Sequence, residues 1–389
     1  MKHINALNTE RNNCCGCSAC QQICPHNCIL MKSDEEGFLY PEVNEERCVD
    51  CGLCSSVCSW IGQDKDEIRN SLPEVYATKH KDNEVRHKST SGGLFTAFAS
   101  YVIREGGRVY GASFLSVTQE VGHIGVSDID DLTSIRGSKY VQSNQGNVFR
   151  EIRNHLNNGI LVLYTGTPCQ CEGLRHFLRK NYENLFIIDI LCHSVPSPRV
   201  FDDLLQSAGS KFEGISFRNK DRGWRNSYMF RLFKNGETLI NETYLTMFFK
   251  GLINRPSCYR CKFTKIERSG DLTIGDYWNI NSVHPEFEDS LGVSCLLINT
   301  EKGKRLFDEI RSSLDCLKTE LAPALQTCMI RNVAEPKIRE KFWADYMKYG
   351  FSYCEIKYGR MTRWEKFRDR TLAPFARKLN IAGLLRKMR

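Results

Sequence analysis

Several features are missing from this 389-residue sequence. No apolar run approaches the roughly 18 residues that a transmembrane helix requires. Met1 is not followed by the basic-then-apolar pattern of a secretory signal, so a reducing, cytoplasmic setting is expected. Net charge is absent from most of the chain. The total is +8, and Arg360 to Arg389 alone hold ten bases against two acids, so the remainder sums to zero. A neutral body with a basic tail offers no electrostatic face for nucleic acid, and no nucleic-acid partner is expected. Internal repetition is confined to the first sixty residues. The length leaves room for two or three domains and a substantial core.

Cysteine, by contrast, is plentiful at nineteen. Cys14, Cys17, Cys20 and Cys24, followed by Pro25, form a C-x2-C-x2-C-x3-C-P run. Cys48, Cys51, Cys54 and Cys58 form a second, with Ser59 where proline is usual. A thiolate every third residue lets a tight turn wrap three corners of an Fe4S4 cube, and in two-cluster ferredoxins the fourth cysteine of each run serves the other cluster. The expected sets are therefore Cys14, Cys17, Cys20 and Cys58 on one cluster, and Cys48, Cys51, Cys54 and Cys24 on the other. The rival, a pair of structural zinc sites, would not need a fourth cysteine three residues on in both runs. Cys15 and Cys28 fall outside the register and read as small packing residues. Residues 1–62 carry eight acids against four bases, so clusters there should be hard to reduce.

The remaining chain alternates apolar strands with helices. Ile29–Met31 and Phe38–Tyr40 read as a hairpin between the two cysteine runs. Residues 63–73 read as a charged linker, and a new strand begins near Pro73. Lys88 to Gly93 precede a helix at Leu94–Arg104; hydroxyls and paired glycines there suit either a phosphate cradle or an ordinary N-cap. Strands at 108–115, 121–126, Ile160–Tyr164 and Leu185–Leu191, with helices at 146–157 and 171–179, indicate an α/β core with some parallel sheet. Ligands gather at the carboxyl ends of such strands, and Cys169 and Cys192 both follow a strand. Strands at Ile215–Arg218, Tyr228–Phe233 and Thr238–Ile240 come next, then Asp271–Trp278, Ser294–Asn299 and a helix at 302–312. From about 336 the chain reads as helical and increasingly basic. Aromatic and aliphatic residues punctuate that tail, which suits a docking helix, peripheral contact with the inner face of a membrane or an acidic partner, or packing on the protein's own body.

Lys88 to Gly93, Gly137-Ser138-Lys139-Tyr140-Val141, Gly166-Thr167-Pro168-Cys169-Gln170, Cys192 before Val195-Pro196-Ser197, Phe217-Arg218-Asn219-Lys220 with Trp224, Cys258 to Cys261, and Gly275-Asp276 occur in this order. Together they resemble the family of coenzyme F420 hydrogenase and dehydrogenase beta subunits over roughly residues 75 to 300, with a two-cluster ferredoxin domain fused in front. The resemblance implies FAD, iron–sulfur clusters, and electron exchange with a deazaflavin, another low-potential carrier or a redox partner protein. Some members of the family accompany surface-polysaccharide genes, which makes such a pathway one expectation. The expected fold class is α+β: a small ferredoxin-like domain (1–62), a larger mixed α/β flavin domain (73–335) and a helical basic segment (336–389). A homo-oligomer and a non-catalytic electron-transfer role both stay open.

Given the family, Ser91, Gly92 and Gly93 are expected at the flavin pyrophosphate. Lys139 and Arg218 are the expected cations near the phosphates or the ring, and Trp224 a stacking partner. His193, beside Cys192, is the expected proton carrier, because its unperturbed pKa lies near neutrality. Cys169, Cys192, Cys258 and Cys261 fall in the matching segments and form an expected third Fe4S4 site. Four thiolates would equally satisfy zinc, so spacing does not choose the metal. Cys171, two residues from Cys169, is expected on the following helix and outside this set.

Overall fold

The computed structural model describes residues 11–61, 72–209 and 211–360. The basic tail, apart from Arg360, lies outside the described residues, as does most of the expected linker. Among the described residues no helix is long and apolar enough to cross a membrane.

The chain enters with a hairpin of β1 (Ile29–Ser33) and β2 (Leu39–Val43), flanked by two short helices, Ala19–Ile23 and Leu53–Ser56, one from each cysteine run. The centre is a mixed sheet built from β3 (Glu74–His80), β4 (Arg108–Leu115), β5 (Glu120–Val126), β6 (Val162–Gly166) and β7 (Leu185–Ile190). A smaller antiparallel sheet follows, of β8 (Gly214–Arg218), β9 (Tyr228–Lys234) and β10 (Glu237–Asn241). The chain then returns to the large sheet with β11 (Leu272–Asp276), β12 (Ser294–Ile298) and β13 (Leu314–Thr319). The order across the large sheet is β13-β3-β12-β11-β7-β6-β4-β5. Neighbours from β11 to β4 are parallel, and the outer pairs are antiparallel.

Unbroken apolar runs such as Val162–Tyr164 suit strands buried on both faces. Val162 and Tyr164 pack with Phe149, Ile152 and Leu174 from helices Val148–Asn157 and Pro168–Leu178. Leu163 packs on the other side with Phe98, Val102 and Phe307 from helices Leu94–Arg104 and Glu301–Ile310. Each such buried side chain contributes about 1.5–3 kcal/mol. The small sheet shares a separate aromatic core with helices Pro198–Ser207, Thr243–Phe249 and Arg339–Tyr358. Phe342, Trp343 and Tyr346 fix that last helix, which kinks at Gly350 (φ 78°).

Two elements differ from the sequence expectation. β13 is absent from it: Leu-Asp-Cys-Leu-Lys-Thr is too polar to read as core, but as an edge strand it needs only β3 beside it. The helix expected from 171 begins at Pro168, because Thr167 forms a capping box with Gln170 and proline is favoured in the first turn. Cys169 therefore sits on the first helical turn rather than in a loop.

The ferredoxin-like unit is tied to the large sheet by contacts between sequence-distant groups. The Gln22 side chain accepts from Phe149 N (2.8 Å) and Arg150 N (3.3 Å), capping helix Val148–Asn157 from outside where Asn147 gives no side-chain cap. Arg150 returns the contact, donating to Gln22 O (2.6 Å) and Cys24 O (2.9 Å). Buried Glu36 accepts from both guanidinium ends of Arg339.

Candidate redox site: three thiol groups and a cavity

The two cysteine runs fold alike. Gly16 (φ 69°) and Asp50 (φ 51°) hold equivalent positions, as do Ser18 (φ 63°) and Gly52 (φ 73°). Alternating left-handed residues turn successive backbone N–H groups inward, as in anion-binding nests, and Gly16 N donates to Cys14 Sγ at 3.4 Å. Cys14, Cys17, Cys20 and Cys58 line one hollow with Cys15 and Trp60. Cys24, Cys48, Cys51 and Cys54 line a second with Cys28 and His26. The structure thus brings each fourth cysteine to the other run, as expected for crossed ligation. Burial raises the Cys14 and Cys20 thiols and lifts Cys58 to about 11. Neutral thiols gathered in an apolar hollow suit a group that binds them as thiolates. Among the described residues no three Cys, His, Asp or Glu side chains close tightly enough to hold one metal ion. Cys28, expected only to pack, has its sulfur 3.3 Å from Cys24 Sγ.

A third thiol group lies behind the first. Cys169 Sγ sits 3.2 Å from Thr167 Oγ1 at the start of helix Pro168–Leu178. Cys258 lies within a short 3-10 turn, Pro256–Arg260, that Cys261 ends, and Cys258 is held by its N–H on Arg255 O (2.9 Å). Cys192 follows β7, and its nearest ionisable neighbours are Cys258, Cys261 and Cys328. Burial pushes Cys258 up to about 12 and raises Cys261 and Cys192. All four expected residues are therefore gathered, together with one that was not expected. The Cys15 thiol lies within hydrogen-bonding reach of both Cys169 and Cys17, so it bridges the first and third groups. Gly173 makes this approach possible, because a Cβ there would stand 2.8 Å from Cys17 Sγ. Cys171 points the other way, into the core against Ile188 O.

Beside the third group, at the carboxyl ends of β6, β7 and β11 and against Ala112 of β4, is a cavity of about 240 Å³. Ser91, Gly93, Lys139, Cys192 and His193 all line it. Gly93 (φ 92°) opens helix Leu94–Arg104 without a side-chain cap, which leaves first-turn N–H groups free for an anion. The loop is braced from behind by Lys220, whose Nζ donates to the carbonyls of Arg86, Ser91 and Leu291, each at 2.6 Å. Ser138 N donates to Thr90 Oγ1 (3.0 Å), joining the loop to the segment that carries Lys139. Burial lowers Lys139 to about 7, although its Nζ donates to Ser134 O and Arg136 O. Arg136 also lines the cavity, its Nε has no hydrogen-bond partner, and burial lowers its pKa. Two desolvated cations beside an uncapped helix start fit an anionic group such as a pyrophosphate.

Three expected cofactor contacts stand elsewhere. Gly92 does not line the cavity: its N–H donates to Ser294 Oγ (2.9 Å), and a Cβ there would strike Thr78 O at 2.4 Å. Its requirement is close packing on the sheet. Trp224 is buried behind the cavity, stacked at 4.8 Å and 3° on Trp278, which does line it. Arg218 lies in the same second layer, donating to Asp276 Oδ2 (3.0 Å) and stacked over Tyr228. Asp276 Oδ1 also accepts from Trp224 Nε1 (2.7 Å). His193 faces the cavity, and the surrounding protein lowers its pKa against the opposing charge of Asp276.

His123, on the cavity wall, carries no sequence signal. Its Nε2 lies 3.1 Å from Thr165 O and its Nδ1 2.8 Å from Gln145 Nε2, while Gln145 Oε1 accepts from Tyr164 OH at 2.9 Å. Those partners fix the neutral tautomer protonated on Nε2, and burial lowers the pKa to about 4.

Comparison with known proteins agrees with this arrangement. Residues 13–60 match the 4Fe-4S dicluster domain, and residues 160–322 match the C terminus of the coenzyme F420 hydrogenase/dehydrogenase beta subunit. One component of the F(420)H(2) dehydrogenase of Methanosarcina mazei is 22% identical over 331 residues, covering 79% of this chain and 85% of the relative. The coenzyme F420-dependent sulfite reductase of Methanocaldococcus jannaschii is 27% identical over 165 residues, covering 42% of this chain but only 24% of its own length. A chain of the F420-reducing [NiFe] hydrogenase complex from Methanosarcina barkeri superposes with a TM-score of 0.46 and 15% identity, over 76% of this chain and 94% of that one. The last likeness is too low to carry an argument. The crossed thiol sets fall in the segment that is similar to a 4Fe-4S dicluster domain, and Cys169, Cys192, Cys258 and Cys261 fall in the segment that is similar to the C terminus of the coenzyme F420 hydrogenase/dehydrogenase beta subunit.

Proposed function

We propose that this chain is an iron–sulfur flavoprotein oxidoreductase that passes electrons between Fe4S4 clusters and FAD. The flavin would exchange them with a low-potential carrier, either an F420-like deazaflavin or a redox partner protein. The observation that carries this reading is contiguity. Cys20 of the first thiol group feels the charge of Cys54 in the second, Cys15 joins the first to the third, and Cys192 belongs both to the third group and to the cavity wall.

In this reading Cys14, Cys17, Cys20 and Cys58 hold one cluster, and Cys24, Cys48, Cys51 and Cys54 the second. Cys169, Cys192, Cys258 and Cys261 hold a third. Bound FAD would supply the conversion between one-electron and two-electron chemistry. The uncapped N–H groups after Gly93, with Lys139 and Arg136, hold the pyrophosphate. Ser91 shapes the loop, since its own hydroxyl donates to Val293 O. Arg218 and Trp224 act from the second layer, through Asp276, Tyr228 and Trp278. His193, facing the cavity with a lowered pKa, is neutral near pH 7 and placed to take a proton. The units are a ferredoxin-like domain to residue 62, a flavin domain over 73–335 and a C-terminal segment over 336–389.

A second reading, a non-catalytic electron-transfer component, draws on the name of the Methanosarcina mazei relative, one part of a dehydrogenase. Turnover of the purified chain with a dye donor separates the two, because a pure relay would reduce nothing beyond its own centres. Anaerobic purification with iron, sulfide and flavin quantified tests the main reading. About twelve irons, four for each of three clusters, with one flavin are expected. About two zincs and no flavin would overturn it.

A further inference from the structure

Five arginines are buried among the described residues: Arg86, Arg218, Arg255, Arg268 and Arg339. Four of them meet a carboxylate, on Asp289, Asp276, Asp189 and Glu36 respectively. Arg255 is the most deeply buried, at 0% exposure, and among the described residues no carboxylate forms an ion pair with it. Its three hydrogen-bond acceptors are neutral: Cys14 O at 2.8 Å from Nε, Gln142 Oε1 at 2.8 Å from Nη1 and Leu39 O at 2.9 Å from Nη2. Its plane lies over Tyr40 at 4.3 Å and Phe38 at 5.3 Å.

A guanidinium does not release its proton inside a protein. An isolated buried cation costs far more than three neutral hydrogen bonds return, so such charges are matched by opposite ones. Apart from Tyr40, the ionisable groups that act most strongly on Arg255 are all thiols: Cys14, Cys15 and Cys258. Cys14 belongs to the first group and Cys258 to the third, with Cys15 between them. The backbone holds the residue at this junction, since Arg255 N donates to Val195 O (3.0 Å) and Arg255 O accepts from Cys258 N (2.9 Å). Gly16 leaves room for the guanidinium, because a Cβ there would stand 2.9 Å from Nη1.

We propose that Arg255 is a counter-cation shared by two iron–sulfur centres, the one on Cys14, Cys17, Cys20 and Cys58 and the one behind it. It holds both reduction potentials up and keeps the one-electron step between them close to level. This rests on the proposed function, in which both thiol groups ligate clusters. Thiolates bound to iron bring negative charge, each arriving electron adds more, and a fixed cation nearby favours that electron. Because Arg255 touches both sides of the seam, its charge acts on the two centres together and shifts them in the same direction. Cys24, Cys48, Cys51 and Cys54 are not among the groups that act most strongly on Arg255, so the centre on them serves as an internal reference.

The test is a dithionite titration of the full-length holoprotein, followed by electron paramagnetic resonance, for the wild type and for Arg255→Met, Arg255→Gln and Arg255→Lys. Both neutral variants should lower two of the three midpoints by about 59 mV or more, a tenfold change for one electron, and leave the third unmoved. Arg255→Lys should return both toward the wild-type values. If neither neutral variant loads iron while Arg255→Lys loads fully, the charge is needed for assembly and the proposal stands. If Arg255→Lys also fails to load, the residue acts through its hydrogen bonds and the proposal falls. Unmoved midpoints in a fully loaded neutral variant overturn it as well. A wild-type content of about eight irons instead removes the third cluster, a failure of the proposed function distinguishable from a failure at Arg255.

Discussion

The front thiols come from two short stretches, Cys14–Cys24 and Cys48–Cys58, whereas the rear group draws on Cys169, Cys192 and the Cys258–Cys261 pair. In the front, left-handed residues at equivalent loop positions set each thiol through local geometry. At the rear, a helix start, a strand end and a 3-10 turn must first be packed together. A local site therefore takes three thiols from its own loop and only the fourth from the other run. A site assembled over distance depends on the whole sheet, and it stands where the sheet's cavity is.

The largest break in that comparison should come from Cys258→Ser. About four of about twelve irons should disappear, front-cluster signals should remain, and flavin reduction by the front centres should stop. Full iron content with unchanged internal transfer would reduce the rear thiols to packing residues.

Gly173→Leu attacks the seam instead of a ligand. Its side chain must occupy the space of Cys17 Sγ, which stands 2.8 Å from a Cβ there, at an overpacking cost of about 1–3 kcal/mol. Front-to-flavin transfer should slow while flavin content and rear-group iron stay at wild-type levels. A rate equal to the wild type would mean that this approach is not on the electron path.

Lys139→Met tests the cavity. The Lys139 amine, lowered by burial to about 7, is charged below that pH and neutral above it. Wild-type affinity for FAD should therefore weaken as pH rises through 7, since the protonated form meets the phosphates. Losing one charge-assisted hydrogen bond costs about 1.5–3 kcal/mol, so the variant should bind roughly ten- to a hundredfold more weakly at pH 6 and lose that pH dependence. Flavin fluorescence titrations at pH 6 and 8 read both.

The last effect concerns His123. Its folded pKa is about 4 against an ordinary 6.5, so between those values the unfolded chain binds a proton that the folded chain refuses. Stability should fall as pH drops through 6.5, by up to about 1.4 kcal/mol per pH unit and about 3 kcal/mol in all. His123→Gln should unfold without that slope, measured by denaturant titration at pH 7 and pH 5.5.

Much of the fold was legible from periodicity. Helix Leu94–Arg104 and strand Arg108–Leu115 lie where apolar spacing puts them, because both are packed on faces that demand that spacing. Boundaries failed where capping decides them, as at Thr167. The cavity loops were legible as motifs but not residue by residue. Adjacent Ser91, Gly92 and Gly93 look alike in sequence, yet the turn sends Gly92 against Thr78 and leaves Gly93 at the helix start. Trp224 and Arg218 sit in a recognisable motif, but only the packing of Trp278 and Tyr228 in front of them shows that they lie behind the cavity wall.

The amino-acid order by itself determined which three thiols of each front run stand together, because a tight loop fixes spacing within a few residues. It also determined the alternation of strand and helix, and hence a sheet with ligand space at its strand ends. Only the tertiary structure decided that Gln22 caps a helix begun by Asn147, that Cys15 reaches Cys169, and that Arg255 is buried beside Cys14. Each of these contacts joins residues more than a hundred positions apart, and no local pattern constrains such pairs. They exist because burial leaves polar groups that must find partners wherever the chain brings them.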